Sequence, residues 1–286
     1  MPTSPTVRRR RLAAELRRLR SAADLTIAQV AKRMDCTHPK ISRIENGHRA
    51  ASLADVHMLL SIYGVTGHEA ERLMALAKDS RKRGWWHTYR NLLPEWYETY
   101  VGLEAEAASI HTYEGEVIPG LLQTADYARA LTRATLITAN DEDIERRAEL
   151  RIQRQQRLTG PEPVELWAVI SEATLRRPVG GTAVHVAQLV HLAKMSELRH
   201  VMVQVMPFAA GAHPAMAGMF TILRFPEHSD QDAVYLETQV GGLYLEELTE
   251  VEHYARMMDH LRAMAADPAR SRTMIRQIER EFAHER

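Results

Sequence analysis

Along the first eighty residues, apolar positions return every third or fourth residue, in five blocks separated by short polar turns. Leu12, Leu16 and Leu19 predict a helix from Arg8 to Ala22 with arginines on its other faces. Ile27, Val30, Ala31 and Met34 predict a second, with Thr26 as its N-cap. A third follows Asp35-Cys36, with Thr37 at the N-cap, Pro39 in the first turn, Ile41 and Ile44 as the buried stripe and Gly47 past the end. The fourth, from Ser52 to about Tyr63, carries Leu53, Val56, Leu59, Leu60 and Ile62 ahead of Gly64, and the fifth runs from about His68 to Lys78. The polar, basic stretch "DSRKRGWWH" around Gly84 then predicts a boundary, with domains at 1–82 and 83–286.

Beyond it the texture changes. Residues 94–112 read as helical, "IPGLLQT" breaks the pattern, and 125–134 and 141–158 read as helical again. "VELWAVI" (164–170), "VMVQVMP" (201–207), "FTILRF" (220–225) and "AVYLET" (233–238) are β-branched and aromatic runs between turns, as strands are. One helix, 182–196, separates the first two, and the later strands follow one another closely. That order predicts a small mixed sheet with an antiparallel part. Helices at about 249–265 and 268–283 end the chain. The fold class is therefore α+β overall, an all-α five-helix domain followed by an α+β domain with flanking helices.

Composition narrows the class. The chain has 286 residues, 45% hydrophobic and 26% charged, with zero formal net charge, an ordinary globular balance. One cysteine, Cys36, excludes an internal disulfide. No run approaches the roughly 18 to 20 apolar residues of a membrane span and no apolar signal core follows the N-terminal arginines, so the expected location is cytoplasmic. The charge is uneven, however. Residues 1–50 hold twelve Lys or Arg against four Asp or Glu, a surplus of eight positive charges, and the remaining 236 residues balance it with a surplus of eight negative ones. A basic head suits a polyanion, because each Lys or Arg set on a phosphate releases counterions; a solvated basic tail has the same composition. Arg8 to Arg11 read either as an arm reaching DNA or as a frayed terminus.

Helix, tight turn and short polar helix is the arrangement that lays one helix in a DNA major groove while its neighbour braces against the backbone. In projection Ile41 and Ile44 face inward, leaving Thr37, His38, Lys40, Ser42, Arg43 and Asn46 outward or near the N-terminal end. His38, Lys40 and Arg43 are the first base-edge or groove candidates, with Ser42 and Asn46 behind them, and Thr37 as cap and phosphate contact. Two half-sites about 34 Å apart, or a multiple, would suit a homodimer on a palindromic operator.

Residues 8–63 resemble the Xre, lambda-repressor-like helix-turn-helix family, through Leu16 and Arg20, Leu25-Thr26, Val30-Ala31, Ile41 to Gly47, and Tyr63-Gly64. The resemblance implies double-stranded DNA as partner and an ion pair between Glu45 and Arg20 that braces the fold. Ile27 departs from a usual phosphate-gripping glutamine, and Asp35 from a usual turn glycine. Residues 85–283 resemble the domain that follows this helix-turn-helix in regulators of actinobacteria such as Streptomyces, the WhiJ-like group. "YVGLEAEA", "VIPGLLQTADYARAL", "ERRAELRIQRQQRL", "LRRPVGG", "VQVMPFAAGAHPAM" and "VYLET" carry that match. It implies a transcriptional regulator, often paired with a small partner protein encoded nearby and hence called antitoxin-like.

Enzyme chemistry finds little support. Glu104, Glu106, His111, Glu114 and Glu116 read as a solvated acidic patch, and the histidines lack the spacing of a metal site, so no metal or cofactor is expected and the chain reads as a non-enzyme. "PFAAGAHPAM" directly after an apolar strand is either a ligand or partner loop, with Pro207, Phe208, Gly211 and His213 as its candidates, or a packed connection. Arg147, Arg151 and Arg154 share one helix face, read as exposed and paired with Glu145 and Glu149, or as an anion site.

Overall fold

The computed structural model describes residues 5–47, 49–82, 84–226 and 231–284. The chain divides into two compact units, one through His87 and one from Thr88 onward. In the first, α1 (Pro5–Ala22), α2 (Ile27–Arg33), α3 (His38–Glu45), α4 (Leu53–Ile62) and α5 (Gly67–Asp79) enclose one core. Leu16, Val30, Ile41, Val56, Leu59 and Leu73 are fully buried in it, and each such side chain removed from water stabilises by about 1.5 to 3 kcal/mol.

The helix ends are set by residues that reach the left-handed region. After α1, Asp24 has φ 54° and Leu25 N–H returns to the Arg20 carbonyl at 3.2 Å; after α4, Gly64 has φ 72° and Val65 N–H returns to Leu60 at 2.9 Å. Both are the closing bond that satisfies orphan carbonyls at a helix C-terminus. The N-termini of α2 and α4 are closed by reciprocal capping boxes, Thr26 with Gln29 and Ser52 with Asp55. The arm and the frayed terminus are both corrected: Arg8 to Arg11 lie within α1, none of them fully exposed, and Arg8 Nη1 is 3.8 Å from Asp79.

The second unit is built on one six-stranded mixed sheet in the order β3-β2-β1-β4-β5-β6. Its strands are β1 (Ser109–Glu114), β2 (Glu165–Ser171), β3 (Val201–Met206), β4 (Phe220–Arg224), β5 (Ala233–Thr238) and β6 (Gly241–Leu245). β1, β2 and β3 are mutually parallel, whereas β4, β5 and β6 continue antiparallel from β1. The helices are α6 (Glu95–Glu104), α7 (Ala125–Thr135), α8 (Asp141–Arg154), α9 (Gln156–Thr159), α10 (Glu172–Arg176), α11 (Thr182–Met195), α12 (Leu248–Met264) and α13 (Pro268–His284). α12 covers the sheet face that carries Tyr113, Val169, Phe220 and Val234, with Met258 and Leu261 turned into it. No helix of the described residues is long and apolar enough to cross a membrane.

The sheet corrects the sequence reading in two places. The helix expected over 94–112 ends at Glu104, and "SIHTYE" forms β1, in register with β2 on one side and β4 on the other. Its alternation sends Ile110 and Thr112 to one face and His111 and Tyr113 to the other, and only the two flanking strands make it an internal strand. β6 lies outside the strands that the sequence pattern predicts, because "GGLYL" opens with two weak strand formers. Gly242 is needed there: a Cβ would sit 2.6 Å from the Tyr235 ring.

The charged helix faces are corrected as well. Arg154 is 4% exposed and donates from Nε and Nη2 to the two carboxylate oxygens of buried Glu104, at 2.7 and 2.6 Å. Arg151 donates to Gln123, and Arg147 to the Leu92 carbonyl, while Glu145 accepts from Arg129 on α7. So this face of α8 points into the domain and is neither a solvated stripe nor an open anion site. The acidic patch is likewise dispersed: Glu104 is in that pair and Glu114 is half-buried with an enclosed Oε2.

Candidate nucleic-acid interface

The turn between α2 and α3 is set locally. Met34 caps α2, Asp35 takes φ 49°, and Cys36 N–H returns to the Ala31 carbonyl at 2.9 Å. Aspartate performs the left-handed step for which glycine is the usual residue. Thr37 occupies the N-cap of α3, but its side chain makes no capping bond. Its hydroxyl stands exposed at the helix N-terminus, where the first N–H groups favour an anion such as a phosphate.

Ile41 and Ile44 are buried beneath α3, so Thr37, His38, Arg43 and Asn46 are exposed and Lys40 and Ser42 are half-buried. Three of these side chains are already engaged. Lys40 Nζ lies 2.6 Å from Asp55 Oδ1, across to α4. Asn46 accepts from Arg17 Nη2 at 3.0 Å and donates to Ser42 Oγ at 3.3 Å. Arg17 also donates to the Glu45 carbonyl at 2.8 Å, so it braces the C-terminal end of α3. His38 and Arg43 remain outward, with no such bond among the described residues.

Beneath them lies a buried ionic network. Arg20 Nε donates to both carboxylate oxygens of Glu45 at 2.9 Å, and Arg20 Nη1 to the Leu25 carbonyl at 2.8 Å. Tyr63 donates its hydroxyl to Glu45 at 3.3 Å; burial, then the Glu45 charge, pushes that phenol far up. The Glu45 side chain is 2% exposed, so it cannot meet DNA and instead ties α3 to α1 and α4.

Exposed cations also flank α3 in the chain. Lys32 and Arg33 at the end of α2 and Arg49 after α3 are exposed and, with Arg43, form no ion pair among the described residues. Lys32, Arg33 and Arg49 lie outside α3, so helical spacing within α3 does not single them out. Nor does it connect Asp55 with Lys40, although "SLAD" after the turn carries a capping-box signature.

In the second unit, "PFAAGAHPAM" leaves β3 through a 3-10 turn at Phe208–Ala210 after Pro207, and Gly211 takes φ 68°. Phe208 is 61% exposed, and its N–H donates to Glu172 Oε2 at 3.0 Å. His213 Nε2 pairs with the Tyr113 hydroxyl at 3.1 Å, and burial lowers the pKa of this imidazole. The four candidates therefore lie on one loop, with His213 anchored to β1 and Phe208 turned out. Among the described residues no group of three His, Cys, Asp or Glu side chains is placed to hold a metal ion.

Residues 11–73 match the family described as a helix-turn-helix domain, and residues 97–277 match the domain of unknown function DUF5753. Neither a curated protein nor a solved structure matches the chain.

Proposed function

The chain belongs to the DUF5753 family, and we propose that its helix-turn-helix domain makes it a sequence-specific DNA-binding regulator of transcription. One observation carries this reading: α3 leaves His38 and Arg43 exposed, and the N–H of Arg49, another exposed cation, returns to the Arg43 carbonyl at 3.0 Å. His38 and Arg43 are the types that read base edges, and cations around them neutralise phosphates. Lys40, Ser42 and Asn46 shape the helix's grip through their internal partners, and Thr37 meets phosphate at the N-terminus of α3.

The finer reading is an Xre-type regulator of the actinobacterial, WhiJ-like kind, acting in the cytoplasm. It binds a palindromic operator as a homodimer, and the DUF5753 domain dimerises or receives a signal or a small partner protein through the loop at Pro207, Phe208, Gly211 and His213. Selection of bound sequences from random duplexes, followed by anisotropy titrations, tests it. Enrichment of one palindromic motif, with affinity falling steeply in salt and lost in Arg43→Ala, supports it. Binding that is equal on all sequences and indifferent to Arg43→Ala would overturn it.

A further inference from the structure

The outer end of the sheet is fully covered on one face only. β5 and β6 pair Val234 with Leu245, Tyr235 with Tyr244 and Leu236 with Leu243, so Leu236, Leu243 and Leu245 share the face that meets α12. Tyr235 and Tyr244 lie on the other face, which α6 closes. There the Tyr100 and Tyr235 rings are 4.4 Å apart, and Tyr244 donates its hydroxyl to the Trp96 carbonyl at 2.6 Å. On the α12 side the cover stops short. Leu236, Leu245 and Val251 are only partly buried against the core, and Leu243 is 53% exposed. Leu248, the first residue of α12, is 72% exposed, and Val240 in the hairpin turn is 93% exposed.

The opposite edge of the sheet is closed by the chain itself. Val205 on β3 donates its N–H to Ser271 Oγ, and its carbonyl accepts from the Ala266 N–H, both at 2.9 Å. At the β6 end, Val240, Leu243 and Leu248 instead stand in water within nine residues of chain. Large apolar side chains grouped in this way and rimmed by polar residues are the pattern of a protein contact surface.

The charge around the strip identifies what fits it. Residues 233–255 contain five glutamates and no lysine or arginine. Along the first turns of α12, Glu247 and Glu252 are exposed and Glu250 is half-buried. Arg256 lies 3.7 Å from Glu252, so it offsets one of these charges. Acids at a helix N-terminus favour the helix by themselves, which accounts for Glu247 and Glu250 but not for the exposed leucines. A partner that covers the leucines and meets the carboxylates needs an apolar stripe flanked by Lys or Arg.

We propose that the strip formed by Leu236, Leu243, Leu245 and Leu248 docks a basic amphipathic helix of another protein. That helix lays its apolar face on the leucines, and its cations meet Glu247, Glu250 and Glu252. The surface shares no residue with the loop from Pro207 to His213, and it does not depend on the DNA-binding reading.

Anisotropy titrations of the full-length protein with three labelled peptides test the surface: an amphipathic helix of Leu and Lys, the same design with Glu for Lys, and the Leu and Lys peptide in scrambled order. The Leu and Lys helix should bind, more tightly in low salt, and the other two should bind at least about tenfold more weakly. Leu243→Ser and Leu248→Ser should each weaken that helix by about tenfold. The double change Glu247→Gln, Glu250→Gln should weaken it too and flatten its salt dependence. Leu243, Leu248 and Glu247 are exposed, so these variants keep the fold, which circular dichroism checks. No binding of the Leu and Lys helix, equal binding of the Lys and Glu designs, or full binding by both leucine variants overturns the proposal. So does a dimer in sedimentation that Leu243→Ser breaks, because the strip would then belong to a second copy of the chain.

Discussion

The Lys40 ammonium lies 2.6 Å from Asp55, the same aspartate that accepts the Ser52 N–H at the start of α4. One carboxylate therefore caps a helix and holds a lysine of the candidate reading helix away from the open face. Burial raises the Asp55 pKa, but hydrogen bonds from Lys40 and Ser52 outweigh it, and the net shift is downward. Its stabilisation is thus present above the unfolded carboxyl range, near pH 4, and is lost as pH falls through the lower folded value. Asp55→Asn should cost about 1 kcal/mol in urea unfolding at pH 7. It should also free Lys40 and steepen the salt dependence of DNA binding by about one unit of slope; an unchanged slope would mean that Lys40 stays off the DNA.

Glu45 is the hub of the helical unit. Glu45→Ala leaves the Arg20 guanidinium without its partner and should destabilise by about 3 to 5 kcal/mol. Tyr63→Phe, removing one donor at 3.3 Å, should cost only about 1 kcal/mol. Chemical denaturation of both variants checks the ranking.

At the DNA face, role decides what a variant changes. Arg43→Ala should cost about 1 to 3 kcal/mol on the selected operator and far less on random duplex, as loss of a base contact does. Lys32→Ala and Arg33→Ala should weaken both duplexes alike and each lower the salt slope by about one unit. Anisotropy titrations from low to moderate salt separate the two patterns.

In the second unit the buried Arg154 and Glu104 pair makes an asymmetric prediction. Glu104→Gln should destabilise by about 3 to 5 kcal/mol, because Arg154 then remains buried and charged. The double change Glu104→Leu, Arg154→Met should be much milder than either single one. Thermal unfolding of Glu104→Leu, Arg154→Met and the double variant measures the coupling.

Glu114 predicts a pH effect of the opposite sign. Burial first, then the nearby Glu237 charge, raises it from 4.5 to about 8. Between those values the unfolded chain has released this proton while the folded chain keeps it, so stability falls as pH rises through that window and levels off above it. Glu114→Gln should flatten this part of the profile, read from urea midpoints between pH 5 and pH 9.

Local pattern alone determined the helical unit. Two of the helices there carry their own capping boxes, Thr26 with Gln29 and Ser52 with Asp55, and the apolar stripes turn to a single core, so period and turn chemistry suffice. The later helices and four of the strands were legible for the same reason. The tertiary structure decided what depends on distant chain. "SIHTYE" is a strand only because β2 and β4 lie on either side of it, and the glycine-led β6 only because β5 precedes it in a hairpin. Helical spacing correctly put Arg147, Arg151 and Arg154 on one face, but whether that face met water or Glu104 was set fifty residues away. The candidate site divides in the same way. His38 and Arg43 face outward by the period of α3, whereas Lys40 is held by an aspartate of another helix, a pairing that sequence spacing does not encode.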